Sequence, residues 1–259
     1  MDHHGGVTDP TPSEVLVDVS APVATLTMSR PEAMNAITPT MLAQLRAALE
    51  DVGARPDVRV IVLTGQGRAF SAGVDLKAIG GARLEGGAVG DLLDGPARDL
   101  IEAIRSVPKV VIAKVNGYCF TGALELALAC DIVVAAEEAT FGDTHAKWGL
   151  RPTWGMSQRL PAAVGGARAR MLSYRAASFS GRQAEEWGLA AAACPRAELD
   201  ELIDTMARDI SANSADSVAA YKDLYRFAAD QASAAGVAYE AAATFAIADT
   251  EERIAGFRK

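Results

Sequence analysis

The sequence predicts an α/β fold in which a strand–strand–helix unit is wound more than once and a helical region completes the C-terminal end. Three observations predict it. Two apolar runs of strand length, Val58 to Leu63 and Val110 to Val115, each end in a turn built of small residues. Apolar positions at helical spacing recur between and after these runs. From Glu198 onward, helical period is the pattern that remains. Half of the 259 residues are hydrophobic, which is enough for a sizeable core. α/β chains of this length often fold as one domain with an appendage.

Taken in order, Met1 to Pro12 is polar and turn-rich, without a basic stretch leading into an apolar one, and reads as a flexible tail rather than a secretory signal. Glu14 to Val19 and Val23 to Ser29 alternate apolar with polar or small residues across Ser20-Ala21-Pro22, the pattern of a hairpin. After the loop Arg30 to Ala36, Thr38-Pro39 marks a helix start. Met41, Leu42, Leu45, Ala48 and Leu49 follow at helical spacing up to Gly53. The strand Val58 to Leu63 then leads into Arg68-Ala69-Phe70-Ser71-Ala72-Gly73-Val74-Asp75-Leu76-Lys77.

Ile79 to Gly95 carries Gly80, Gly81, Gly86, Gly87, Gly90 and Gly95, so it reads as a mobile segment. Its role is either that of a lid or pocket wall or that of a surface loop. Helix Ala97 to Ser106 and strand Val110 to Val115 repeat the unit, and Asn116 to Glu125 follows. Helix Gly122 to Ala129, strand Asp131 to Ala136 and a turn at Ala139 to Gly142 repeat it again. Short helices are expected at Ser157 to Val164, Gly166 to Tyr174 and Gly181 to Trp187, and a small apolar segment at Gly188 to Cys194. Three helical patterns close the chain: Leu199, Leu202, Ile203 and Met206; then Val218, Tyr221, Leu224, Tyr225 and Ala228; then Val237, Phe245 and Ile247. They divide the chain into a tail (1–12), a core carrying the site (13–197) and a helical region (198–259). That region packs either on its own core or on a neighbouring subunit.

Composition excludes several functions. No uninterrupted apolar run reaches the roughly 20 residues of a membrane helix, so a soluble protein without a membrane partner is expected. Cys119, Cys130 and Cys194 lie in apolar surroundings without CxxC or metal-ligand spacing. They predict reduced core thiols, a cytoplasmic location and no bound metal. The net charge is −8 and the basic residues are scattered, which argues against nucleic acid.

The two small-residue turns are where chemistry belongs. If the N–H groups of Val74 and Gly122 face one cleft, they form a two-donor hole for an oxygen gaining negative charge, such as a thioester carbonyl becoming an enolate. Gly122 would open a helix, and Glu125 would lie on its first turn, where a carboxylate is stabilised as the anion and suits a general base. Glu is also an ordinary helix-start residue, so Glu125 alone does not decide the matter.

The motifs together do more. Phe70 to Lys77, Val115-Asn116-Gly117-Tyr118 through Gly122, Glu125-Leu126-Ala127, Cys130-Asp131-Ile132 and Gln158-Arg159-Leu160-Pro161 resemble the crotonase (enoyl-CoA hydratase/isomerase) superfamily, in order and over roughly Leu16 to Phe257. The resemblance implies a spiral of β-β-α turns, a C-terminal helical trimerisation region, a homotrimer or a hexamer, and acyl-coenzyme A thioesters as substrates. It implies no permanently bound cofactor, since coenzyme A arrives as part of the substrate. It assigns the oxyanion hole to the N–H groups of Val74 and Gly122. It places coenzyme A near Arg30, Ala36, Ala72, Gly73, Asp75, Leu76 and Lys77, with Arg258 or Lys259 of a neighbour as further cations. Lys77 reads equally as a solvated surface charge, and Asp75 as a brace for its turn.

One position departs from the pattern. Hydratases of this family use a second glutamate in the turn after Phe-Gly. Here, aligning Phe141-Gly142, Gly149 and Pro152 puts His145 in that place. An imidazole can move a proton near neutrality, and a neighbouring Glu125 carboxylate favours its cation. Glu125 as base and His145 as proton donor would make an enoyl-CoA hydratase-like lyase. The competing readings are a purely structural His145, Asp143 as the second carboxylate, another crotonase reaction (isomerisation, decarboxylation or C–C cleavage), and an acyl-CoA-binding protein without turnover. Trp148 and Trp154 flank the same region, as core residues or as walls of an acyl pocket.

Overall fold

The computed structural model describes residues 13–77, 85–242 and 255. The tail 1–12, part of the glycine-rich segment, Phe245, Ile247, Arg258 and Lys259 lie outside them. β1 (Val15–Ser20) and β2 (Val23–Met28) form the expected antiparallel hairpin, with a cis peptide bond at Ala21-Pro22. α1 (Pro39–Ala54) is capped by Thr38, whose hydroxyl oxygen accepts the Met41 N–H. It buries Met41, Leu42, Leu45, Leu49 and Val52.

A three-part unit then repeats. β3 (Val60–Gly65) is followed by β4 (Ala69–Ser71) and α2 (Asp91–Ser106). β5 (Val110–Val115) leads to β6 (Tyr118–Phe120) and α3 (Gly122–Ala127), and β7 (Ile132–Ala136) to β8 (Thr140–Gly142) and α4 (Met156–Val164). The first strand of each unit enters one sheet and the second enters another, so the chain advances as a spiral. The large sheet runs β1-β2-β3-β5-β7-β10, with β10 at Ala192–Cys194. The small sheet runs β4-β6-β8-β9, with β9 at Ser178–Ser180. β3 is buried along its whole length, as a parallel strand covered on both faces must be, and this is why Val60 to Leu63 are consecutive apolar residues.

α5 (Gly166–Arg175) and α6 (Gly181–Glu186) follow α4, and α6 carries a capping box between Ser180 and Gln183. α7 (Leu199–Ser211) buries Leu199, Ile203 and Ala207 against the large sheet. α8 (Ala215–Ala242) is one continuous helix where the sequence pattern suggests two. It is pinned near its start by Lys222, whose ammonium donates to the Ile104 and Lys109 carbonyls (2.8 and 2.9 Å) and to Asp131 (2.7 Å). Burial pushes the Lys222 ammonium below its ordinary pKa and the Asp131 carboxyl above, although each partner pulls the other way.

The differences from expectation have local causes. α2 starts at Asp91 rather than Ala97, carrying Pro96 inside it and burying Leu93 and Asp94 ahead of it. α3 stops at Ala127, ahead of the expected Ala129. The strands β4, β6 and β9 are three residues each, too short for alternation to register, and the turn expected at Ala139 to Gly142 contains β8. All three cysteines are free thiols, and burial raises the pKa of each. Among the described residues no helix is long and apolar enough to cross a membrane.

Candidate active site

Parallel pairing of β4 with β6 brings the two small-residue turns side by side. The contact is tight enough to demand glycine. Gly73 has φ +90°, and a Cβ there would fall 2.2 Å from Thr121 Oγ1 and 2.8 Å from the Phe120 carbonyl oxygen. The Val74 turn is held to the loop before α1: Ile37 N–H donates to the Gly73 carbonyl (2.8 Å), Asp75 N–H to the Ile37 carbonyl (2.9 Å) and Ala72 N–H to the Met34 carbonyl (2.9 Å). That pattern leaves Val74 N–H outside the ladder. Among the described residues neither Val74 N–H nor Gly122 N–H donates to any acceptor. Gly122 is the first residue of α3, where N–H groups have no intrahelical partner. Thr121, just before it, sits at φ 48° and ψ −115°, a strained conformation for a residue with a Cβ.

Glu125 is 1 % exposed. Its Oε1 accepts two backbone N–H groups, Trp154 at 2.9 Å and Met156 at 3.0 Å. These bonds orient the carboxyl group. Oε2 faces His145 Nε2 at 3.7 Å, an ion-pair distance longer than a hydrogen bond. On its other side, His145 Nδ1 lies 2.7 Å from Asp143 Oδ1, and Asp143 Oδ2 accepts the Ser173 hydroxyl at 2.6 Å. Burial acts to raise the Asp143 pKa, but the His145 ring, the Ser173 hydroxyl and the His145 N–H together hold it below the ordinary value. Asp143 thus backs the imidazole on the side away from Glu125. It does not stand beside Glu125 as a second carboxylate, because the short helical turn His145–Trp148 turns the ring, and not Asp143, toward α3.

The positions expected to meet coenzyme A divide into two groups. Arg30 ties the loop before α1 to the Val74 turn: its Nη1 donates to the Ala36 carbonyl (2.7 Å) and to Asp75 (2.9 Å), and its Nε lies 3.5 Å from Glu14. Asp75 also accepts the Lys77 N–H and so braces its turn. Leu76 is buried, whereas the Lys77 side chain is exposed. Trp148 is half-buried beneath the Lys147 ammonium, and Trp154 is fully buried. On the Asp143 side of the imidazole, Asp143, His145, Leu150, Met156, Leu160 and Tyr174 contribute to a cavity of about 420 Å³.

Several residues that shape the site were given no role by the motifs. Buried Asn35, at φ 54°, donates to the Gln66 and Ala69 carbonyls (2.9 and 2.8 Å), and Asn116 donates to Gly65 and Gly67 (2.8 and 3.0 Å). Between them they fix the β3–β4 turn. Asn between apolar strands, with its tolerance of positive φ, is the available clue. Asp94 and Thr153 have no such clue.

Comparison with known proteins agrees with this architecture. A family model described as enoyl-CoA hydratase/isomerase matches residues 18–259. A probable peroxisomal enoyl-CoA hydratase of Arabidopsis thaliana is 40% identical over 168 residues, 64% of this chain and 61% of that protein. A probable enoyl-CoA hydratase of Mycobacterium bovis is 30% identical over 246 residues, covering 94% of each. Among solved structures, an enoyl-CoA hydratase/isomerase from Pseudoalteromonas atlantica superposes with a TM-score of 0.83 at 27% identity, over 95% of this chain and 97% of that one. An enoyl-CoA hydratase from Mycobacterium tuberculosis gives 0.76 at 33% identity, over 95% and 100%. With a family match and a full-length relative in agreement, the chain belongs to the enoyl-CoA hydratase/isomerase family, and its fold is the crotonase fold.

Proposed function

We propose that the protein adds water across the double bond of a 2-enoyl-coenzyme A thioester, with Glu125 as base and His145 as proton donor. The observation that carries this reading is the pair itself: a buried carboxylate, held by two backbone N–H groups, facing an imidazole at 3.7 Å next to two turns with unengaged N–H donors. The thioester oxygen accepts from Val74 and Gly122 N–H, which stabilise the charge that develops as the β-carbon is attacked. Glu125 takes a proton from water as the oxygen bonds to the β-carbon. Protonated His145 gives its Nε2 proton to the α-carbon. The proton left on Glu125 then crosses the short gap to His145 and both groups are restored. Asp143 serves this cycle by holding Nδ1, which keeps Nε2 on the substrate side.

Ala72 to Lys77, with Arg30 and Ala36 behind them, form the entrance for coenzyme A in this reading. No resident cofactor takes part. The names of the relatives support hydration over other reactions of the family. Exposed Tyr221, Leu224, Tyr225 and Phe227 on α8 support burial of that helix between subunits, as a homotrimer or a dimer of trimers. The reading is tested by following loss of the conjugated thioester absorbance with crotonyl-coenzyme A and longer 2-enoyl thioesters. Tight binding of these thioesters with no turnover would overturn it.

A further inference from the structure

Trp154 meets two parts of the proposed machinery, Gly122 and Glu125. It is 2 % exposed, and its backbone N–H is one of the two donors that hold Glu125. Its indole lies against Gly122, where a Cβ would fall 2.5 Å from Cζ3 and 3.1 Å from Cε3 and Cη2. One side chain thus contacts the residue bearing a hole donor, while its own backbone fixes the carboxylate. The far end of the ring is anchored as well. Nε1–H donates to Asp94 Oδ1 at 2.8 Å, and the neighbouring Thr153 hydroxyl donates to the same oxygen at 2.7 Å.

Asp94 is 5 % exposed and, among the described residues, has no cationic partner. Burying a carboxylate without a cation costs several kcal/mol unless hydrogen bonds offset it. The two donors on Oδ1 come from the consecutive residues Thr153 and Trp154, so the carboxylate fastens this one segment to the first turn of α2. The fold needs no charge there to pack an indole. What the charge adds is a strong, directional bond that fixes the rotation of the ring about its long axis. A ring freed of that bond either crowds Gly122 or draws back the 153–156 backbone that binds Glu125.

We propose that Asp94 is a positioning residue: through the Trp154 indole it sets the relative placement of the Gly122 donor and the Glu125 carboxylate. The proposal rests on the reading of those two groups as the reacting ones, and its test separates the two claims. The exchange of the Trp154 indole proton is followed by NMR in protein labelled at its three tryptophans, with Trp154→Phe giving the assignment. The proton is expected to be strongly protected in the wild type and in Asp94→Asn, which keeps an acceptor oxygen, and to exchange freely in Asp94→Leu. With crotonyl-coenzyme A, Asp94→Leu and Trp154→Phe are each expected to lower kcat about 30-fold with KM within about threefold, the size of one lost charge-assisted bond. Asp94→Asn should stay within about fivefold, and the double variant Asp94→Leu/Trp154→Phe within about threefold of either single one.

A rapidly exchanging indole in the wild type overturns the clamp, whatever the activity. Additive losses in the double variant, an Asp94→Asn as impaired as Asp94→Leu, or an unchanged kcat in folded Asp94→Leu overturn the positioning role. If Asp94→Leu does not fold, unchanged kcat in Trp154→Phe overturns it instead. A wild type with a protected indole but no turnover of any enoyl thioester sinks the hydratase reading and this role with it, leaving only the clamp.

Discussion

Glu125→Gln is the sharpest perturbation of this site because it removes a charge and almost no shape. Glu125 Oε1 accepts the N–H groups of Trp154 and Met156, and a glutamine carbonyl oxygen can accept both in the same place. Each bond then loses its charge assistance, a difference of about 0.5–1 kcal/mol, so the fold should weaken by about 1–2 kcal/mol and Tm by about 3–6 °C. The amide nitrogen takes the place of Oε2, opposite His145 Nε2, where the wild type has a 3.7 Å carboxylate–imidazole contact. An amide can neither accept the proton of attacking water nor stabilise a cationic imidazole. A positioned general base contributes about 10² to 10⁴ in rate, so kcat should fall about 10³-fold, or about 4 kcal/mol, with KM within about threefold. The assay is the initial rate of crotonyl-coenzyme A hydration alongside a thermal melt of the same preparation. A folded Glu125→Gln protein with wild-type kcat would refute the assignment of Glu125 as base. A large loss of kcat with an equally large loss of Tm would assign Glu125 to the fold instead.

His145→Ala should lower kcat about 100-fold and leave KM within about threefold, since the proposed mechanism gives the ring a proton transfer and no contact with coenzyme A; a tenfold rise in KM at unchanged kcat would make it a binding residue. Asp143 has a folded-state pKa below its ordinary value, so its stabilising contribution is complete above the ordinary carboxylate range and fades as pH falls through it toward the depressed value. Asp143→Asn should therefore lower Tm at neutral pH and flatten the fall of Tm on acidification; parallel Tm curves for the two proteins would contradict this. Lys222→Ala leaves the Ile104 and Lys109 carbonyls and the Asp131 carboxylate without their shared donor, at a cost of about 2–4 kcal/mol in urea unfolding. Because burial opposes the charge on both members, Lys222→Met with Asp131→Asn should recover a good part of that loss, and an additive double variant would speak against the pair.

The order of elements and the two residues proposed as the reacting pair were legible in the chain. β3 and β5 are mostly apolar because parallel strands are covered on both faces, and Thr38-Pro39 announces α1 because a helix start must satisfy its own N–H groups. Glu125 and His145 stood out because their residue types do proton chemistry and lie in recognisable turns. The family resemblance grouped Arg30, Ala36 and Asp75, but nothing in it said that Arg30 would bond directly to both of the others.

What only the folded chain decides is direction and mutual contact. Asp143 and His145 are two residues apart, so sequence spacing left either of them free to face Glu125. The short turn at His145–Trp148 and the Ser173 hydroxyl settle it, placing the ring toward α3 and the carboxylate behind it. Asp94 lay in a glycine-rich stretch with no periodic signal, yet in the spiral it reaches Trp154, 60 residues away. Propensity and periodicity act over a few neighbours along the chain, whereas a buried hydrogen bond depends on where two distant turns of the spiral come to rest. The small-residue turns of Phe70 to Lys77 and of Asn116 to Glu125 are thus written in the sequence. The pairing of β4 with β6, which presses Gly73 against Thr121 and sets the two turns side by side, belongs to the tertiary structure alone.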